Sequence, residues 1–227
     1  MLILRGLIGG LIQLALIGAV LLIPAGTWDW PRAIQFLVAY GLLNTVSIVA
    51  LAILSPASLE ARLMKPTAES QPKADRIASL FLFTSMLAWF AFIPIDVFHL
   101  QLLPAPPLEV SILGAVLSLA GYAVIWTTLL QNAFAAPIVK DQSDRGQTLV
   151  DTGLYGYIRH PFYLGMFLFF IGLTLWLQSY AGALAVLLPF LCVVARIKVE
   201  ERTLAESLQG YAEYTKRVRY RLVPFVW

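Results

Sequence analysis

Long runs of apolar residues constrain the fold of this chain more than any other feature. Runs such as residues 2–23 match the length of about 20 residues that an α-helix needs to cross a bilayer. Charged residues make up 13% of the chain and hydrophobic residues 59%, whereas a soluble domain carries about 25% charged residues. So few charges cannot cover a water-facing surface. The sequence therefore predicts an all-α integral membrane protein.

The order of the apolar runs predicts a polytopic helical bundle of about six spans, forming a single membrane domain over residues 1–227. We expect four spans within residues 1–131. Residues 132–227 should contain a hydrophilic loop and a short helical hairpin, whose second arm continues without a stop signal to residue 208, with Gly210 as its C-cap. That last helix should therefore start in lipid and emerge into water. The apolar runs are 2–23, 33–54, 77–95, 110–130, 162–177 and 181–195.

The basic residues predict the orientation of the bundle. Of the 16 Lys and Arg residues, only Arg32 falls outside the N-terminus, the second loop, the fourth loop and the C-terminal segment. With six spans those four regions share one side, and the positive-inside rule makes that side cytoplasmic. Both termini are then cytoplasmic. A secretory signal is the alternative for the first run, but its apolar core exceeds the roughly 7–15 residues of such signals, which favours a retained span.

Two polar segments on that side could carry chemistry. His160 lies between Arg159 and Pro161, where the loop becomes a helix, and the unpaired N–H groups of a helix start favour a carboxylate or phosphate. A simple cap on the hairpin is the alternative. Arg196 and Glu200 are four residues apart and share a helix face. An arginine at headgroup depth can bind a carboxylate or phosphate with two hydrogen bonds, although the two residues could also form only an intrahelical ion pair.

Other kinds of site are not favoured. No Cys/His cluster has the spacing of metal ligands, so no metal is expected, and neither a nucleophile elbow nor a phosphate-binding glycine loop is present. Cys192 is the single cysteine, which excludes a disulfide within the chain. The basic tail could bind nucleic acid, but in a membrane protein anionic lipid headgroups of the bilayer are the expected partner. Its basic residues are Lys216, Arg217, Arg219 and Arg221.

Two motifs together resemble a known family. The first is Arg-His-Pro-x-Tyr-x-Gly, from Arg159 to Gly165, within residues 148–165; the second is Arg-x3-Glu-Glu, from Arg196 to Glu201, followed by residues 210–218. In both, the chain resembles the membrane methyltransferases of the isoprenylcysteine carboxyl methyltransferase type and the related phospholipid methyltransferases. The resemblance covers roughly residues 140–224. It implies a cytoplasmic pocket for S-adenosyl-L-methionine.

The resemblance also implies roles for individual residues. Arg196 occupies the position that contacts the methyl acceptor in eukaryotic members, so it is the expected substrate-binding residue, and Arg196 and Glu200 are the expected catalytic residues. The implied activity is transfer of a methyl group to a lipophilic acceptor at the cytoplasmic membrane surface. That acceptor would be a carboxylate, such as an isoprenylcysteine-like group, or a lipid headgroup. The implied cofactor-binding residues are Lys140, Gln147, Thr148, Leu149, Val150, Tyr155, His160, Pro161, Phe162, Tyr163 and Glu200.

The residues agree with this chemistry but leave two alternatives open. A carboxylate such as Glu200 suits the positive groups of the methyl donor, and N–H groups near His160 and Pro161 suit its carboxylate. One alternative is a membrane reductase of related fold, whose nicotinamide cofactor would place a phosphate on Arg145, Arg159 and Arg196. The other is a non-catalytic membrane protein that binds anionic lipid through its basic tail.

Overall fold

The protein is a bundle of α-helices in a computed structural model that describes residues 1–63, 73–135 and 146–227. A π-helical turn, Asp96–Leu100, extends the fourth helix, and a 3₁₀ turn, Gly153–Gly156, precedes the sixth. The α-helices are α1 Leu2–Ala25, α2 Pro31–Leu54, α3 Pro56–Arg62, α4 Lys73–Ile95, α5 Leu108–Gln131, α6 Pro161–Trp176, α7 Tyr180–Ala185, α8 Leu187–Ser207 and α9 Tyr211–Arg217.

Five helical stretches are long and apolar enough to cross a membrane, which confirms the prediction of a polytopic helical bundle. The sixth apolar helix, α6, has 16 residues and falls short of the about 20 that a full span needs. Large apolar side chains on the outer faces, such as Leu11, Val38 and Leu113, are exposed, as expected for helices that face lipid. The five stretches are Leu2–Ala25, Pro31–Leu54, Asp75–Leu100, Leu108–Gln131 and Tyr180–Ser207.

Glycines let α5 and α6 approach each other closely. A Cβ atom on Gly114 would lie 2.7 Å from the carbonyl oxygen of Gly172, and one on Gly165 would lie 2.8 Å from that of Gly121. Only a residue without a side chain leaves room for such backbone contact, as in small-residue packing of membrane helices generally. This pairing fixes the position of the start of α6, which carries His160 at its N-cap.

The predicted hairpin is present, but its second arm is broken. The helix stops at Ala185 and restarts at Leu187, because Pro189 has no N–H for the carbonyl group of Ala185, four residues earlier. The prediction that Gly210 caps this arm was wrong. The arm ends at Ser207, and Gly210, with a φ of 82°, begins α9 instead.

Contacts between connectors define the two ends of the bundle. At one end, Arg32 Nη1 donates to the Trp176 carbonyl at 3.2 Å, and Ser179 Oγ donates to Asp96 Oδ2 at 2.6 Å. The turn after α1, the turn after α4 and the tip of the hairpin therefore meet there. Since the helices alternate in direction, the opposite end gathers α3, the end of α5, the start of α6 and the later half of α8. That end contains the predicted site.

Candidate active site

Glu201 binds two arginines and a histidine, which joins the loop before α6 to α8 and the tail. Its carboxylate accepts from Arg159 Nε at 2.7 Å and from Arg221 Nε at 2.8 Å. His160 Nε2 lies 3.2 Å from Glu201 Oε1 and is the donor, because an ionised carboxylate only accepts. We call these four residues the Glu201 cluster. It closes the two predicted polar segments onto each other.

Backbone hydrogen bonds reinforce the same junction. The N–H groups of Arg159 and His160 donate to the carbonyl oxygens of Tyr220 and Arg221 at 3.0 and 2.9 Å. Arg159 Nη1 also donates to the Val218 carbonyl oxygen at 2.8 Å. Arg159 is thus held within the protein by its side chain and its backbone.

These hydrogen bonds limit which N–H groups at the start of α6 are available to an anion. The His160 N–H is already bonded to Arg221, and Pro161 has none. The following N–H groups, of Phe162 and Tyr163, lie in the first turn and have no intrahelical partner. An anion at this helix start would therefore meet the N–H groups of Phe162 and Tyr163, next to His160 and Pro161.

Glu200 lies on the neighbouring face of α8 and has different surroundings from Glu201. Tyr163 Oη donates to Glu200 Oε2 at 2.9 Å, and His160 Nδ1 lies 4.0 Å from Glu200 Oε1. The Glu200 side chain is 26% exposed and faces a cavity. One helical turn earlier, Arg196 is only 4% exposed, and its Nε lies 3.6 Å from the fully buried carboxylate of Asp75.

The structure brings most of the predicted cofactor residues together around one cavity, which we call the polar cavity. Its walls come from the end of α5, the loop before α6, the start of α6, and α8 and α9. Pro161 is not part of the lining, and Lys140 lies outside the described residues. The predicted residues in the lining are Gln147, Thr148, Leu149, Val150, Tyr155, His160, Phe162, Tyr163 and Glu200.

Other lining residues were not among the predicted site residues. Leu204 and Leu208 follow Glu200 at four-residue steps, so the helical period places them on its face and could have identified them. Tyr211 and Tyr214 lie in the tail motif. No local pattern identifies the residues that come from earlier helices or loops. The lining residues missed are Arg62, Asn132, Phe134, Ala135, Arg159, Leu204, Leu208, Tyr211 and Tyr214.

Hydrogen bonds hold an aromatic wall in place at the polar cavity. Asn132 Nδ2 donates to Tyr155 Oη at 3.0 Å, and Tyr214 Oη donates to the Tyr155 carbonyl oxygen at 2.8 Å. Burial raises the pKa of both Tyr155 and Tyr214 above the usual value. Both phenols therefore stay neutral at physiological pH, and the wall adds no negative charge to that of Glu200.

A second cavity, of about 550 Å³, is lined by residues of seven helices, α1 to α6 and α8, and we call it the intramembrane cavity. Its walls are mainly apolar, with a polar pair where Ser47 Oγ and Tyr122 Oη lie 2.8 Å apart. Arg196 lines it, whereas Glu200 lines the polar cavity. The two cavities share three lining residues, Arg62, Phe162 and Tyr163. A charged pocket at the bundle end is thus adjacent to an apolar space within the bundle.

Comparisons with known proteins match the segments that build these cavities. Residues 110–210 match the family model of phospholipid methyltransferases. A curated protein of Saccharomyces cerevisiae, described as protein-S-isoprenylcysteine O-methyltransferase, is 39% identical over 95 residues, which cover 39% of this chain and 38% of the yeast protein. The match therefore spans well under half the length of that relative. Both matches support the family that the sequence motifs indicate, the membrane methyltransferases of the isoprenylcysteine carboxyl and phospholipid type.

Proposed function

We propose that this protein transfers a methyl group from S-adenosyl-L-methionine to a lipophilic acceptor at the cytoplasmic surface of the membrane. The observation that carries the proposal is the junction of two unlike cavities. The polar cavity contains Glu200, the intramembrane cavity contains Arg196, and Tyr163 belongs to the wall of both. A water-soluble donor and a lipid-soluble acceptor can meet there without either leaving its own medium.

The polar cavity suits the donor in charge and in shape. S-adenosyl-L-methionine has a sulfonium and an ammonium cation, a carboxylate and an adenine ring. Glu200 supplies a carboxylate for the positive groups, and the N–H groups of Phe162 and Tyr163 at the start of α6 suit the negative one. Aromatic side chains such as Tyr155 and Tyr211 offer faces for the adenine ring and the sulfonium cation.

The protein's part in the reaction is alignment and exclusion of water. When bound, the donor supplies a methyl group activated by its sulfonium cation, and transfer to the acceptor leaves a neutral thioether. Tyr163 orients Glu200 by its hydrogen bond, and the Glu201 cluster holds α6 against α8. Arg196 holds an anionic group of the acceptor. Methyl displacement requires mainly that the groups be held in line in a dry site, and neither a metal nor a covalent nucleophile is needed.

The acceptor would reach this site from the bilayer through the intramembrane cavity. A carboxylate acceptor needs no general base, because its oxygen already has an electron pair to offer, whereas an amine must first lose a proton. Arg196 suits a carboxylate directly and a lipid phosphate equally well in charge. The name of the yeast relative, an O-methyltransferase, supports methylation at oxygen.

Donor binding tests this proposal. We expect purified wild-type protein to bind S-adenosyl-L-methionine in calorimetry and Glu200→Gln to bind it at least tenfold more weakly, since one lost charge-assisted contact is worth about 1.5–3 kcal/mol. Glu206→Gln, an exposed position on the same helix, is the matched control and should bind normally.

Three outcomes would count against methyl transfer. The first is wild-type protein that binds no donor, and the second is undiminished binding in both Glu200→Gln and His160→Ala. The third is thermal stabilisation by a reduced nicotinamide nucleotide but not by the donor, which would favour the reductase.

A further inference from the structure

Arg62 lies where the two cavities meet, although the sequence motifs do not include it. It is the last residue of α3, the short helix that follows α2. It lines both the polar and the intramembrane cavity. Its Cζ atom lies 4.7 Å from the centre of the Phe162 ring, a distance at which the ring attracts the cation. This stacking holds the guanidinium group at the start of α6.

The two arginines at the junction, Arg62 and Arg196, differ in their ion pairing. Besides burial, the groups that shift the pKa of Arg62 are the phenols of Tyr163 and Tyr40 and the cation of Arg196, and these do not include a carboxylate. Within the part of the chain that the structure describes, the ion pairs do not include Arg62. The nearby carboxylates are Asp75, which pairs with Arg196, and Glu200, which lines the polar cavity.

Placing the Arg62 cation beside an apolar cavity costs free energy. A charge removed from water needs a partner of opposite sign, and burial lowers the pKa of Arg62 from its ordinary value. Tyr40 and Arg196 both line the intramembrane cavity and not the polar one, so the electrostatic neighbours of Arg62 lie mainly on the acceptor side. An anion in the intramembrane cavity, which Arg62 and Arg196 both line, would give Arg62 a partner of opposite sign.

We propose that Arg62 is a second acceptor-binding residue, and that its guanidinium group and that of Arg196 together hold one anionic group of the acceptor where the two cavities meet. The inference depends on the proposed function, because it takes the bound anion to be the methyl acceptor. Binding of an anion at this site can nevertheless be tested without catalysis. A carboxylate or a phosphate fits two guanidinium groups, because each has at least two oxygens that accept charge-assisted hydrogen bonds. Arg62 then distinguishes a lipid with an anionic head from a neutral lipid of equal length.

The experiment compares lipids that differ only in charge. Radiolabelled hexadecanoic acid, hexadecyl phosphate and hexadecanol are bound to purified protein in neutral detergent, with wild type, Arg62→Ala, Arg62→Lys and Arg76→Ala. Arg76 is an exposed arginine in the first turns of α4 and controls for general surface charge. Calorimetry with S-adenosyl-L-methionine is run on the same samples, and thermal unfolding shows that each variant is folded.

We expect Arg62→Ala to weaken binding of at least one of the two anions tenfold or more and to change hexadecanol binding less than threefold. Arg62→Lys should keep part of the anion affinity, and Arg76→Ala should keep all of it. An equal loss for acid, phosphate and alcohol would overturn the proposal, since it would assign Arg62 to packing. A loss of anion affinity in Arg62→Ala no larger than that in Arg76→Ala would also overturn the proposal, since it would show that Arg62 contributes only general surface charge.

The donor measurements separate this inference from the proposed function. Weakened donor binding with unchanged anion binding in Arg62→Ala would overturn the inference and assign Arg62 to the polar cavity. Wild-type protein that binds the anions through Arg62 but binds no donor would reject methyl transfer and retain the anion site. If Arg62→Ala does not fold, Arg62→Gln decides, because glutamine is polar but uncharged. A tenfold loss of anion binding with unchanged hexadecanol binding then supports the proposal, whereas equal loss for all three lipids, or no loss for either anion, contradicts it.

Discussion

Glu200 and Glu201 are adjacent in sequence but have opposite surroundings. Glu201 has a 12% exposed side chain and accepts from two arginines and a histidine. Glu200 is more exposed and accepts from Tyr163 at the cavity wall. Consecutive residues on a helix point about 100° apart, so one side chain faces the packed interior and the other faces the cavity. Glu201 is therefore suited to hold the structure, and Glu200 to meet a ligand.

Because Glu201 binds three side chains, we expect a single substitution of Glu201 to lower the stability of the protein strongly. Glu201→Gln removes the negative charge from beside Arg159, which is buried and then lacks its counterion. We expect the free energy of unfolding to fall by about 3–5 kcal/mol, as when one partner of a buried ion pair is removed. Unfolding in detergent measures this.

An exposed ion pair provides the comparison for Glu201→Gln. Glu213 binds Lys216 in α9 with both side chains exposed, and Glu213→Gln should change the stability by about 0–1 kcal/mol. Equal effects of the two substitutions would show that the Glu201 cluster does not hold α6 against α8.

Individual site residues were predictable where a motif contains them. The predicted residues between Thr148 and Tyr163 and the pair Arg196 and Glu200 follow from the motif segments of the resemblance. The structure places most of them at the polar cavity, and Arg196 at the intramembrane cavity. Arg62 and Asn132 could not be predicted in this way. They come from helices distant in sequence, and only the packing of those helices brings them to the cavities.

At the scale of the helices, the close contact between α5 and α6 positions the site. The apolar runs predicted both helices and the hairpin, because few structures other than helices in a membrane accommodate runs of that length and hydropathy. The break before Leu187 was missed, although Pro189 provides a local signal for it. The close pairing of α5 with α6 was not predictable, since glycines that face another helix look the same in sequence as glycines that face lipid.

Substitutions of glycine test the contact between α5 and α6. Gly165→Ala puts a methyl group 2.8 Å from a backbone oxygen of α5, so a helix must shift. We expect the free energy of unfolding to fall by about 1–3 kcal/mol, as for other overpacked cores, and donor binding to weaken because the start of α6 moves.

Gly18 is the matched position for this test. A Cβ there would lie 3.6 Å from Leu37, an ordinary contact, so Gly18→Ala should be neutral or should stabilise by up to about 1 kcal/mol. A Gly165→Ala variant with the melting temperature and donor affinity of wild type would mean that α5 and α6 can separate without disturbing the site.

At the scale of the whole molecule, the contacts establish which connectors share an end of the bundle, and the positive-inside rule predicts that the end with the site is cytoplasmic. The rule needs only the positions of the apolar runs and of the charges between them, so it could be applied to the sequence alone. The volume and position of the intramembrane cavity could not be predicted, because they depend on how seven separate helices pack.

Labelling of single cysteines tests the orientation. Cys192 is first replaced by Ala, and Asp29→Cys or Ser207→Cys, both exposed positions at opposite ends, is then introduced. We expect a membrane-impermeant maleimide to label position 29 in intact cells and position 207 only after the cells are opened. The reverse pattern would put the active site on the other face of the membrane.

If the protein methylates a carboxylic acid, as we propose, the wall shared by the two cavities has a consequence for how turnover ends. A carboxylic acid that is methylated becomes an ester and loses its charge. Arg62 and Arg196, which would attract the acid, would then face a neutral product whose remaining affinity is only for apolar surroundings. Release into the lipid is therefore favoured by the reaction itself, and the vacated arginines discriminate against the ester and for the next acid.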